Sequence, residues 1–232
     1  MKRTSRRVLP HLLLYAFAAS LVLISCTGAP PEATYAQLVL TYTEDRQREE
    51  IYEQLTIRVH VQDPDGIDDV ETLHVSHDGE GYVWTFDEEK WSRRQEGGTE
   101  LFVLEGLVSP DGSPLPRGEY RIIAVDSAGH RTEITESIES DPRDSEDLAF
   151  PRLELDDDEL TVLGDHNEVR VIGYEGEDRR VGELELSGGE TRSVARIDWL
   201  ADRIEEVSLF AIARGRGPRT EHYVESGPYR WE

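Results

Sequence analysis

The sequence predicts an all-β protein of two small β-sandwiches. Three observations carry this. Apolar residues recur with period two, as in Gln54-Leu55-Thr56-Ile57-Arg58-Val59-His60-Val61, where Leu55, Ile57, Val59 and Val61 face one way. Turn signals rich in Gly, Pro and Asp interrupt these runs at short intervals. An acidic, Pro-broken stretch at 140–149, Ser140-Asp141-Pro142-Arg143-Asp144 and onward, divides the pattern into two parts.

In chain order, the period of two first appears over 35–42, then over 54–61. Asp63-Pro64-Asp65-Gly66 is a strong turn. Strands follow at 70–75 and 82–86. Residues 87–98 read as a charged loop with one helical turn around Trp91, and strands resume at 101–104, 119–126 and 131–138. Beyond 149, strands are expected at 152–155, 159–163, 168–173, 181–186, 193–197, 207–213, 220–224 and 229–231. Asp198 is placed to N-cap a short helix over 198–206. The run 207–213 is apolar enough for a central strand. The serines of Asp126-Ser127-Ala128-Gly129 and Glu225-Ser226-Gly227-Pro228 sit in turn contexts.

The front of the chain is different in kind. Lys2, Arg3, Arg6 and Arg7 precede an apolar run, Leu12 to Ile24. A bilayer-spanning helix needs about 20 residues, so this run suits a signal-peptide core. It ends in Leu23-Ile24-Ser25-Cys26, and Cys26 is the only cysteine. The segment resembles a bacterial lipoprotein signal, whose lipobox has Leu, a small or apolar residue, Gly/Ala/Ser, then Cys. That resemblance implies a signal peptide at 1–25, cleavage before Cys26, acylation of Cys26 and a lipidated tether at 26–33. Two or more acyl chains hold a protein on a bilayer stably. Thr27, in place of an Asp, leans toward outer-membrane sorting within a bacterial cell envelope.

Composition narrows the partners. The chain carries 25 basic and 49 acidic residues, a net charge of −24. Removal of residues 1–25 takes four basic and no acidic residues, which leaves −28. Nucleic-acid binding needs a basic footprint and is disfavoured. The lipid on Cys26 is then the expected membrane contact, with an unknown envelope protein or glycan as the further partner.

Residues 115–129, Leu115-Pro116-Arg117-Gly118-Glu119-Tyr120-Arg121 and onward to Asp126-Ser127-Ala128-Gly129, resemble the entry to the penultimate strand and the following turn in the immunoglobulin-like and fibronectin type III superfamily. The resemblance covers 34–139, implies a seven-stranded sandwich there, and implies a tyrosine corner at Tyr120. It carries no function. Residues 150–232 are expected to form a second, sandwich-like domain after a linker at 140–149.

Four acids in Asp63-Pro64-Asp65-Gly66-Ile67-Asp68-Asp69 are the calcium candidates: Asp63, Asp65, Asp68 and Asp69. Calcium takes six to eight oxygens, and closely spaced carboxylates supply several. The spacing departs from an EF-hand, with Asp68 where that loop needs Gly and His74 where it needs Glu. The same acids also serve as turn-capping Asx residues. His60, His74 and His77 lie on or beside neighbouring strands, but zinc needs three or four convergent ligands. Trp84 and Trp199 are expected in the core. Trp91, in a polar loop, is the expected exposed aromatic and a candidate binding residue, so its truncation should leave stability nearly intact. No Gly-x-Ser-x-Gly elbow or Gly-rich phosphate loop occurs. The reading is a non-enzymatic, lipid-anchored envelope protein for binding or scaffolding, with no cofactor unless calcium; the alternative is a calcium- or glycan-binding surface adhesin.

Overall fold

The computed structural model describes residues 28–156, 158–176, 179–215 and 222–231. The signal segment and Cys26 lie outside these residues. Within them the regular structure is β-strand with three short 3₁₀ turns. The first half contains β1 (Glu32–Asp45), β2 (Glu50–Gln62), β3 (Val70–His77), β4 (Tyr82–Phe86), β5 (Ser92–Glu96), β6 (Thr99–Leu107), β7 (Gly118–Asp126) and β8 (Arg131–Ile138). The second contains β9 (Arg152–Asp156), β10 (Glu159–Leu163), β11 (Val169–Glu175), β12 (Arg179–Leu186), β13 (Thr191–Ser193), β14 (Val207–Arg214) and β15 (His222–Tyr229).

The all-β expectation holds, and the two halves share a sheet. Eight strands run in the order β12-β11-β14-β15-β1-β2-β6-β5. A four-stranded sheet, β4-β3-β7-β8, backs the first half, and a three-stranded one, β13-β10-β9, backs the second. The seam is β1 with β15, paired in parallel from Leu40↔His222 to Asp45↔Gly227. Residues 140–149 therefore mark where the chain leaves the four-stranded sheet, while the long sheet continues across the halves. One apolar cluster runs through both, from Leu55, Ile57 and Leu73 to Val171, Leu209 and Leu200.

Alternation explains the strands that were legible. In β2, Leu55, Ile57, Val59 and Val61 are buried while their neighbours are partly exposed. Tyr120 is fully buried, and its hydroxyl donates to the Pro116 carbonyl at 2.8 Å, which makes the implied tyrosine corner. Around it lies the main ion pair of the interior. Arg117 forks onto Glu53 with contacts of 2.6 and 2.9 Å, the Leu115 N–H donates to the same carboxylate, and Arg117 Nε donates to the Ser140 carbonyl at 2.7 Å. Strand β2, the loop before β7 and the exit from β8 thus share one buried pair.

Several local expectations are overturned. Residues 92–96 form strand β5 at the sheet edge, not a loop with a helical turn; their polar composition hides them because an edge strand need not alternate. The strand expected at 193–197 is only a three-residue β13 followed by a 3₁₀ turn. No helix forms over 198–206, which is a series of turns. Trp199 explains this locally. Gly173 and Gly182 face each other across β11 and β12, and a Cβ at either would overlap its ring. The ring needs that dimple, and the backbone follows it. Ser226 lies within β15 and is fully buried, not in a turn.

Glu53→Ala would strand the Arg117 guanidinium in a mostly buried position. It should destabilise the fold by about 3 kcal/mol, read from urea denaturation midpoints.

Candidate functional site

The strongest cluster of metal-type ligands sits where β2 and β7 end. After Gln62 the chain turns through Asp63-Pro64-Asp65-Gly66. Asp63 Oδ1 accepts from the Asp65 N–H at 2.8 Å, an Asx turn, and Gly66 takes φ 118°, a conformation that favours glycine. The Asp69 N–H donates to the Gly66 carbonyl at 3.0 Å and closes the 3₁₀ turn. β3 then departs beside β7, with Val70 opposite Asp126. The β7–β8 turn is held the same way. The Gly129 N–H donates to the Asp126 carbonyl at 3.0 Å, the Ser127 N–H to the Asp69 carbonyl at 2.9 Å, and the Ser127 hydroxyl to Asp69 Oδ1 at 2.5 Å.

These two turns bring Asp63, Asp69 and Asp126 together, with one carboxylate oxygen from each within 4.8 Å of the others. Asp126 is fully buried. Burial works to raise its carboxyl, but hydrogen bonds from the His130 ring at 2.8 Å and the His130 N–H at 2.7 Å prevail and hold it below the usual carboxylate range. Asp63 Oδ2 is buried with no hydrogen-bond partner. Three carboxylates around an unsatisfied oxygen make a hard, oxygen-only set suited to calcium or magnesium.

Of the four acids expected from sequence, two converge. Asp65 turns away and accepts from the Ala29 N–H at 2.7 Å, which ties the segment before β1 to this loop. Asp68 is exposed and pairs with Arg93 at 2.5 Å. Asp126 escapes a sequence reading because it lies in another turn, far along the chain; the available signal is an Asp opening the Asp126-Ser127-Ala128-Gly129 turn after a strand. Beside the cluster an open pocket of about 470 Å³ is lined by Pro30, His60, Asp63, Ile67 and Glu100.

The other candidates disperse. His60 contacts Thr34 Oγ1 at 2.7 Å, His74 contacts Thr85 Oγ1 at 3.0 Å, and His77 contacts the Arg117 carbonyl at 3.0 Å. These three do not form a metal set. Trp91 corrects its expectation. It is only 9% exposed and meets Phe102 edge-on at a centroid distance of 5.4 Å. As the residue that leads into β5, it points inward while the polar strand masks it, so it is a core residue and not an exposed binding aromatic. Trp84 and Trp199 are partly buried against the core, and Trp84 stacks on Tyr120. No protein-family model matches the chain, and no curated protein matches it.

The consequence for Trp91 reverses the sequence expectation. Trp91→Ala should cost about 3 kcal/mol through the cavity it leaves, measured by urea unfolding, and not be neutral.

Proposed function

We propose that the chain is a lipid-anchored cell-envelope protein whose β-sandwich modules serve non-catalytic binding or scaffolding. The observation that carries it is Leu23-Ile24-Ser25-Cys26 at the end of a short apolar run. Acylation there would hold the acidic protein on a bilayer without attraction from anionic headgroups. Among the described residues no helix is long and apolar enough to cross a membrane. In cells, radiolabelled palmitate should mark the native chain and not Cys26→Ser. The Cys26→Ser chain, once its leader is removed, should leave the membrane fraction with an unchanged melting temperature. Labelling of that variant, or its continued pelleting with membranes after processing, would overturn the anchor.

A second reading is favoured by the Asp63, Asp69 and Asp126 convergence: a calcium-binding surface adhesin. Asp63 Oδ2, buried without a partner, is the oxygen a cation would satisfy. Calcium at about 100 times its Kd would add about 2.7 kcal/mol and raise Tm by about 5–10 °C. Asp63→Asn should abolish the rise while leaving the calcium-free Tm equal or higher, because one of three crowded negative charges is gone. No shift at millimolar calcium would sink this reading.

A further inference from the structure

The outer face of the long sheet, away from both backing sheets, carries a groove of about 540 Å³ lined from all eight of its strands. It exists only because the halves share that sheet. Its charge runs against that of the protein. Arg58 from β2 and Arg94 from β5 stand on one side, and Arg170 from β11 and Arg180 from β12 on the other. The acids among its lining are Glu105 and Glu225. A fifth arginine of the lining, Arg93, pairs with Asp68.

Charges from both halves act on one hydroxyl in the groove. Burial raises the Tyr174 hydroxyl, and the charges acting on it include Glu225, Arg180 and, from the first half, Glu105 and Arg94. The cations are only partly committed. Arg94 contacts Glu105 at 3.1 Å and Arg58 contacts Glu96 at 3.6 Å, while Arg180 pairs with Glu183. Exposed pairs of this kind contribute little and exchange readily for a ligand carboxylate. Arg58 Nε is buried with no acceptor. Between the two sides the floor is rich in uncharged polar groups, with Thr41, Gln54, Thr56 and Tyr223. Glu225 sits in it, pushed up to about 7 by burial against the opposing effect of Arg170. Near neutral pH both its ionised and its protonated forms are accessible, so it can accept or donate.

We propose that this groove binds a linear, carboxylate-bearing polysaccharide, a uronic-acid polymer by chemical class. Its carboxylates pair with the flanking guanidiniums, and its hydroxyls meet the Thr, Gln and Tyr floor. Guanidinium forks suit planar carboxylates. The strand backbones are already paired within the sheet, so an extended peptide gains no ladder bonds on this face; recognition runs through side chains, which suits a sugar chain. The inference names a ligand for the binding role proposed above and rests on that role, but needs neither lipid nor calcium.

The test is calorimetric titration of the full-length chain in detergent with EDTA, using polygalacturonate oligomers. Saturable binding that weakens with salt is expected, with none to neutral dextran. Arg58→Gln and Arg170→Gln should each weaken it about tenfold without moving Tm. Absence of binding, equal binding to poly-glutamate, or affinity unchanged in both variants would overturn the proposal. With EDTA and detergent present, such a failure leaves palmitate labelling and the calcium shift to decide the other readings.

Discussion

The parallel pairing of β1 with β15 is the constraint on which the architecture depends. β1 is 14 residues long, and only its second half, from Leu40 to Asp45, meets β15. Those residues have β2 on one side and β15 on the other, so their backbone groups are satisfied in both directions. The seam is reinforced beyond the ladder. The Arg46 N–H donates to the Gly227 carbonyl at 2.8 Å, Ser226 Oγ donates to Glu44 at 2.5 Å, and Glu44 pairs with Arg152 at 2.9 Å. The Arg46 guanidinium lies 4.5 Å from the Tyr229 ring centroid. These contacts join strands at opposite ends of the chain, so loss of the seam would expose two sheet edges at once.

The acidic turns and the arginine groove apply one electrostatic rule with opposite sign. Three carboxylates brought together by backbone turns repel one another, and the turns hold them because Asx bonds, the Ser127 bonds and the His130 donors fix the geometry. Five guanidiniums on the sheet face likewise repel, and neighbouring carboxylates offset them only at the surface. In each place the fold concentrates charge that water alone would disperse. Such concentration draws ions of the opposite sign.

Much of this fold is legible residue by residue, and the limits are physical. Alternation reveals β2 because one face is wet and the other dry. Tyr120 shows itself through the Pro-Arg-Gly-Glu-Tyr run around it. β5 is hidden because a polar edge strand has no periodic signature, and its concealment misplaces Trp91. The helix expected from Asp198 fails because Trp199 finds a dimple made by two distant glycines, a tertiary fact with no local trace. Asp126 joins the acidic cluster by the same long-range route, through a β3–β7 register that no local pattern encodes. The seam and the groove it creates require contact between the beginning and the end of the chain, which no window of residues contains.

The stagger of the seam fixes an offset along β1. Ala29 is held by its bond to Asp65, and only Thr27 and Gly28 separate it from Cys26, so the reach is about 11 Å at most. β15 begins opposite Leu40, eight residues beyond the start of β1. At about 3.3 Å per residue, the last strand starts roughly 26 Å further along β1. If Cys26 carries the lipid proposed above, the acidic turns lie within that reach of the anchor, and β15 begins a further strand-length away along β1.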